Sequence, residues 1–286
     1  VLVGKDSRTG MIFSSVVPHK GIDPYATACL TRYIRSLGHK RVVAKSDGEP
    51  SILALKNAVT RELEVKMVPE QSPKGEHQAN GRAEGIVKQV QGQFRTMKDA
   101  LETRYGRRID GEHRCIPWLM MHAAAVINRF RKDEHGLTAH RRWRGRQFSK
   151  QVAEFGECVW HLKSGSAGKD KFDVRWSDGV WLGVRDESGE HIIGTESGVI
   201  KVRDFRRKPS DGGRWDYQSF SKVTGTPWEP IPGSKSEELH ARVNLPVERE
   251  PISTPTVSKD EYVPRRLRIL KTDLSKHGYT VGCPGG

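Results

Sequence analysis

The chain has 286 residues, enough for one medium or two small domains with their own buried cores, and carries 49 Lys and Arg against 35 Asp and Glu, a formal net charge of +14. A mean hydropathy of -0.65 and a longest apolar run, Ile116 to Ile127, that is broken by His122 exclude a transmembrane helix, and no basic-then-apolar leader opens the chain. Four widely spaced cysteines, none in a CxxC, argue against a disulfide framework and fit a soluble intracellular protein.

The charge is uneven. Residues 1 to 110 hold 19 Lys/Arg against 12 Asp/Glu and residues 111 to 150 hold 9 against 3, whereas 151 to 210 balance at 10 against 10 and 211 to 286 stand at 11 against 10. A polyanion such as nucleic acid is the natural partner of the first 150 residues, with a solvated basic surface as the plainer alternative. Cys158 and His161 could share a zinc, but no second pair stands at a matching distance, so a buried cysteine in a strand is the better reading.

Taken in order, Val1-Leu2-Val3-Gly4-Lys5, Asp6 to Gly10 and Met11 to Val17 read as strand, turn, strand. A chain that opens inside a sheet implies residues before Val1 in a parent protein, so the sequence is read as a fragment. Asp23-Pro24 caps and starts a helix that Gly38 stops, with Cys29, Leu30, Tyr33, Ile34 and Leu37 on one face. Arg41 to Ala44 makes a strand ending near Asp47, Ser51 to Leu63 a helix and Val65 to Val68 a strand, the alternation of an α/β layer. Pro69 to Asn80 lacks periodicity and reads as a loop.

The helix that follows, Gly81 to Tyr105, puts Val87, Val90, Phe94, Met97 and Leu101 on one stripe and Glu84, Lys88, Gln91, Arg95 and Lys98 on the next. Trp118 to Arg131 is a further helix running into a basic block with Arg129, Arg131, Lys132, Arg141, Arg142, Arg144, Arg146 and Lys150, read as a phosphate-contacting surface, an import signal or a solvated linker. Gly156 to Lys163, Lys171 to Trp176, Gly179 to Val184, His191 to Thr195 and Gly198 to Val202 suggest a five-stranded β module with turns at Ser-Gly and Asp-Gly. Trp160, Phe172, Trp176 and Trp181 are assigned to its core rather than to a base-stacking platform, with room for one or two to do both. Residues 211 to 286 read as mostly linker, with Trp215, Tyr217, Phe220 and Trp228 available to pack back on the module.

Two acids frame the chemistry. Asp47 at a strand end and Glu84 near a helix start, flanked by Lys and Arg, suit Mg²⁺ or Mn²⁺ with phosphate better than zinc. The plainer reading keeps Asp47 or Ser51 as a helix cap and Glu84 as a first-turn acid facing the helix dipole.

At these residues the sequence resembles the integrase catalytic core of retroviruses and long-terminal-repeat retrotransposons, most similar to the Copia type. Lys45-Ser46-Asp47-Gly48-Glu49 resembles the segment with the family's second catalytic Asp, and Ser72-Pro73 with His77-Gln78-Ala79-Asn80-Gly81-Arg82-Ala83-Glu84 the loop and Asn-Gly-x-x-Glu that carry its Glu. Ala123 to Arg129 resembles the last core helix, and Phe155 to Trp160, Gly179 to Gly183 and Val199 to Arg203 the β module that follows. The resemblance covers about residues 1 to 208.

It implies a ribonuclease-H-like mixed sheet with flanking helices (1–135), a basic linker (136–154), a small all-β, SH3-like module (155–208) and a largely irregular tail (209–286). It implies DNA 3′-end processing and strand transfer with Mg²⁺ or Mn²⁺ held by Asp47 and Glu84. Lys88, Gln91 and Arg95, with Lys74, Arg82, Arg141, Arg142 and Arg144, would contact element ends and target duplex. It also implies a homo-oligomer working in the nucleus. Gln91 stands where many members carry a second lysine, and the family's first Asp and zinc region have no counterpart here. Asp6, in the hairpin turn, is not promoted to that role. Little strand transfer is therefore expected of the 286 residues alone. A non-catalytic nucleic-acid-binding remnant is the rival reading.

Overall fold

The computed structural model describes residues 1–46, 48–71, 77–163, 174–210, 213–234 and 236–243, with Thr272, Ser275, Lys276 and Gly278 further on. It is a mixed α/β protein in which residues Val1–Leu245 form one compact unit and Pro246–Gly286 another. No described helix is long and apolar enough to cross a membrane.

Strands β1 (Leu2–Lys5) and β2 (Ile12–Ser15) form an antiparallel ladder, Leu2 opposite Ser15 and Lys5 opposite Ile12. Asp6 organises the turn between them: its carboxylate accepts from the Thr9 N–H at 2.8 Å and the Thr9 hydroxyl at 2.6 Å, and Gly10 supplies a φ of 79°. Helix α1 (Pro24–Leu37) starts where the Asp23 side chain accepts from the Ala26 N–H and stops at Gly38, whose φ is 69°. Strand β3 (Arg41–Ser46), helix α2 (Pro50–Glu62) and strand β4 (Lys66–Gln71) make a crossover that brings β4 parallel to β3. The residue flanking α2 is Glu49, whose side chain makes no capping bond; Ser51 is inside the helix and donates to Glu49 at 2.6 Å.

Instead of one mixed sheet, the described strands of this half form two separate two-stranded ladders, β1–β2 and β3–β4. No described strand pairs with the second edge of β1 or of β3. What joins the ladders is apolar packing: Leu2 and Val17 from one, Val42 and Ala44 from the other, share a cluster with Ala26, Ile34, Leu55, Val59, Leu63 and Met67. Alternation along β1 turns Val3 to the opposite side, into a cluster with Ile12 of β2, Val90 of α3 (His77–Tyr105) and Met120, Ala124 and Ile127 of α4 (Cys115–Phe130). Asn128 fastens α4 to β2 by two bonds, accepting from the Ile12 N–H at 2.8 Å and donating to the Ile12 carbonyl at 2.7 Å.

The basic linker contains an unforeseen short helix, α5 (Ala139–Arg144), capped by Thr138 and ended by Gly145 in the left-handed region. Beyond it, β5 (Cys158–Leu162), β6 (Trp176–Val184), β7 (His191–Thr195), β8 (Gly198–Val202) and β9 (Phe205–Arg207) form one antiparallel sheet in the order β8-β7-β6-β5-β9. Five strands were expected, but not these five. Asp178-Gly179 does not turn: Asp178 pairs with Trp160 and Gly179 with Val159, so Trp176 to Val184 is a single strand, and β9 is the fifth. Gly179 is needed there because a Cβ would lie 2.3 Å from the Ile193 side chain. Of the expected strand Lys171 to Trp176, residues 171–173 lie outside the described residues and Trp176 begins β6.

The module is built onto α4. Trp118 and Leu119 share a core with Cys158, Val180, Leu182 and Val199. Residues expected to be linker complete that core: α6 (Tyr217–Ser221) buries Phe220 fully, and Val223 and Leu239 follow it inward. Tyr105 at the end of α3 supplies the aromatic surface on which Trp215, Tyr217 and Phe220 gather. Trp181 is fully buried as expected, whereas Trp160 is 38 % exposed on the outer row of β5.

Candidate nucleic-acid and metal site

Helix α3 carries the exposed half of the candidate site. It begins at His77, four residues earlier than its sequence periodicity indicated, and β4 ends at Gln71, three residues later than expected. Val90 and Leu101 are buried, and Val87, Phe94 and Met97 half-buried, on the face turned to α4 and the β module. Glu84, Lys88, Gln91 and Arg95 are all exposed on the adjoining stripe, at steps of four, three and four residues. Among the described residues none of the four side chains has an ion-pair or hydrogen-bond partner, so a carboxylate and two cations face solvent on one helix surface. At the far end Glu102 accepts from Lys98 and from the Ile109 N–H, which ties the helix terminus to the following turn.

Asp47 lies outside the described residues; its neighbours Ser46 and Gly48 do not. Ser46 is the last residue of β3, opposite Gln71 of β4, and Lys45 pairs with Glu70 across the ladder at 3.4 Å. A lysine that is absent from the sequence-predicted site organises this end. Lys56 of α2 is only 5 % exposed, and its ammonium donates to the Ser46 hydroxyl at 3.1 Å and to the Glu70 carbonyl at 3.0 Å. A buried ammonium is costly unless fully engaged, so Lys56 pins the two strand ends together. Its position carries a signal, since Lys56 falls between Leu55 and Val59 on the apolar side of its helix.

The structure divides the remaining candidates. Lys74 and the side chain of Arg82 lie outside the described part. Arg141 is exposed and its side chain has no described partner. Arg142 pairs with Asp133, and Arg144 donates to the Asp186 carbonyl at 2.7 Å while stacking on Trp143 at 3.8 Å. These two hold α5 in place. The neighbouring Arg129 is 4 % exposed, paired with Asp186, donating to the Val184 carbonyl at 2.8 Å and lying 4.6 Å over Phe148. It is a joint between α4 and the β6–β7 turn rather than a phosphate contact.

Asp6 is a structural acid. Burial raises its carboxyl, but bonds from the Thr9 side chain and backbone and from His39 outweigh that and hold it below the ordinary carboxylate range. Cys158 is buried in β5 and its thiol donates to the Asp216 carbonyl at 3.7 Å. Among the described residues no group of three or more His, Cys, Asp or Glu is gathered to hold a metal ion. A scan against protein-family models finds no match to the chain, and a search of curated proteins finds none either.

Proposed function

We propose that the chain is an integrase-like polynucleotidyl transferase core that grips DNA through helix α3. The observation that carries this reading is the exposed stripe Glu84, Lys88, Gln91, Arg95 on a helix whose other face is committed to the core. Lys88 and Arg95 neutralise backbone phosphates, and Gln91 adds a neutral hydrogen-bonding group between them. Of Arg141, Arg142 and Arg144, Arg141 is the one whose side chain has no described partner, since Arg142 and Arg144 are spent within the fold.

The donors suit a hard cation. Glu84 offers an exposed carboxylate with no described protein partner, and Asp47 would add a second oxygen donor from the end of β3. Mg²⁺ takes one or two carboxylates and fills its shell with water and phosphate. When bound, it would activate a hydroxyl nucleophile and stabilise a leaving oxygen. The chain's own part is to hold the phosphates beside Glu84 and to keep the β3–β4 end rigid through Lys56.

Fluorescence anisotropy with a labelled duplex, titrated across salt, tests the reading. Lys88→Ala with Arg95→Ala should flatten the log-log salt slope by roughly 0.9 for each phosphate no longer neutralised. Glu84→Gln should leave metal-free binding intact and remove any strengthening by Mn²⁺. An unchanged slope in the double variant refutes the α3 interface. An unchanged Mn²⁺ response in Glu84→Gln favours a nucleic-acid-binding protein without the metal site.

A further inference from the structure

A cavity of about 170 Å³ opens between α1, β2, α4 and the β6–β7 turn, with the segment around Glu237 closing one side. Its size exceeds the roughly 150 Å³ of an engineered apolar cavity that takes up benzene. Most of its wall is ring or aliphatic surface. The polar tips of those rings are already used: the Tyr25 hydroxyl meets Ser15 at 3.1 Å, Tyr33 donates to the Met11 carbonyl at 2.8 Å, and the Trp118 and Trp143 N–H groups donate to the carbonyls of Gly225 and Ser36.

Among the described residues two buried polar atoms in the wall have no hydrogen-bond partner. Ser14 is 5 % exposed and its hydroxyl is buried without a partner among the described residues. Glu237 accepts from Arg32 at 2.9 Å through one carboxylate oxygen, while the other is buried with no partner among the described residues. Buried polar atoms of this kind are rare, and each calls for a complementary group. Charge narrows the choice, since the wall holds both signs: a cation would be set against Arg32 and Arg185, and an anion against Asp186, Glu187 and Glu237.

We propose that this cavity binds a small neutral aromatic heterocycle, one or two rings in size, whose ring N–H and ring nitrogen satisfy Glu237 and Ser14. The rings of Tyr25 and Trp118 with Leu182 and Leu239 supply the flat apolar contact. Burial raises the Glu237 carboxyl despite Arg32, in keeping with a wall that disfavours added charge.

The test uses the whole chain, ¹⁵N-labelled at tryptophan, with the indole resonances of Trp118 and Trp143 read during titration. Benzimidazole is the probe; indene has its shape without nitrogen, and benzamidinium and benzoate carry the two charges. Benzimidazole should shift both resonances saturably and raise the melting temperature. Ser14→Ala should weaken it about five- to tenfold, the worth of one buried hydrogen bond, and should fold normally because it removes an unpartnered hydroxyl. Glu237→Gln should weaken it too. The proposal is overturned if only water occupies the cavity and no resonance moves, if indene binds within about twofold of benzimidazole, if either charged probe binds more tightly, or if neither variant changes the affinity.

Discussion

Single side chains decide much of this structure through polar contacts that apolar patterning does not reveal. Glu157 is fully buried and takes two bonds from Arg207, at 2.7 and 2.6 Å, with Arg214 at 3.5 Å. Glu157→Ala would leave the partly exposed Arg207 and Arg214 guanidinium groups without their carboxylate and should cost about 1.5–3 kcal/mol in urea unfolding. Asp6 makes a smaller contribution with a distinct pH signature. Asp6→Asn should cost about 1–2 kcal/mol at neutral pH. Because its folded pKa lies below the ordinary value, the contribution is present above the unfolded pKa and is lost as pH falls through the folded one. Urea titrations of both proteins at neutral and acid pH should therefore converge at the acid end.

The elements were the most legible level. Asp23-Pro24 and Gly38 bound α1 as read, and the polar and apolar stripes of α3 fall on the surfaces assigned to them, because caps and 3.6-residue periodicity are local properties. The misreadings came where a local signal was outcompeted. Asp178-Gly179 has the composition of a tight turn but is drawn into β6 by pairing with Trp160 and Val159 of β5, far upstream in the chain. Within α3, Gly92 has a helical backbone with no positive φ, and a methyl group added to it would meet only open space. Gly92→Ala should stabilise the protein by about 0.5–1 kcal/mol, measured as a higher urea midpoint at unchanged m-value.

At the scale of the molecule, α4 is the shared wall of both halves. Ile127 and Asn128 meet the hairpin, Trp118 and Leu119 meet the sheet, and Arg129 anchors the β6–β7 turn. His122 on the same helix packs against Trp181 and Phe155, and burial, with Arg129 adding to it, pushes its imidazole down to about 3; burial likewise pushes His191 to about 4. Both are neutral when folded and protonate near 6.5 when unfolded, so the unfolded chain gains protons first as pH drops. The contribution of these two histidines should be constant above about pH 7 and fall below 6.5 by about 1.4 kcal/mol per pH unit for each until its folded pKa is reached. His122→Phe should make that slope shallower in thermal melts across pH, and an unchanged slope would refute the assignment.

The sequence by itself determined the local grammar: the hairpin, the α1 caps, the strand-helix-strand alternation of β3, α2 and β4, the two-faced α3 and the presence of an all-β module, all written in short-range patterns of apolar, capping and turn residues. It also marked Glu84, Lys88, Gln91 and Arg95 as one stripe. Tertiary structure decided which charges remain available. It withdrew Arg129, Arg142 and Arg144 into the fold, brought Lys56 to the β3–β4 end, gathered Phe220 and Leu239 from an apparent linker, and left Ser14 and one oxygen of Glu237 facing a cavity. These outcomes depend on which distant groups meet after burial, where desolvation makes every unpaired polar atom costly, and no local pattern encodes that meeting.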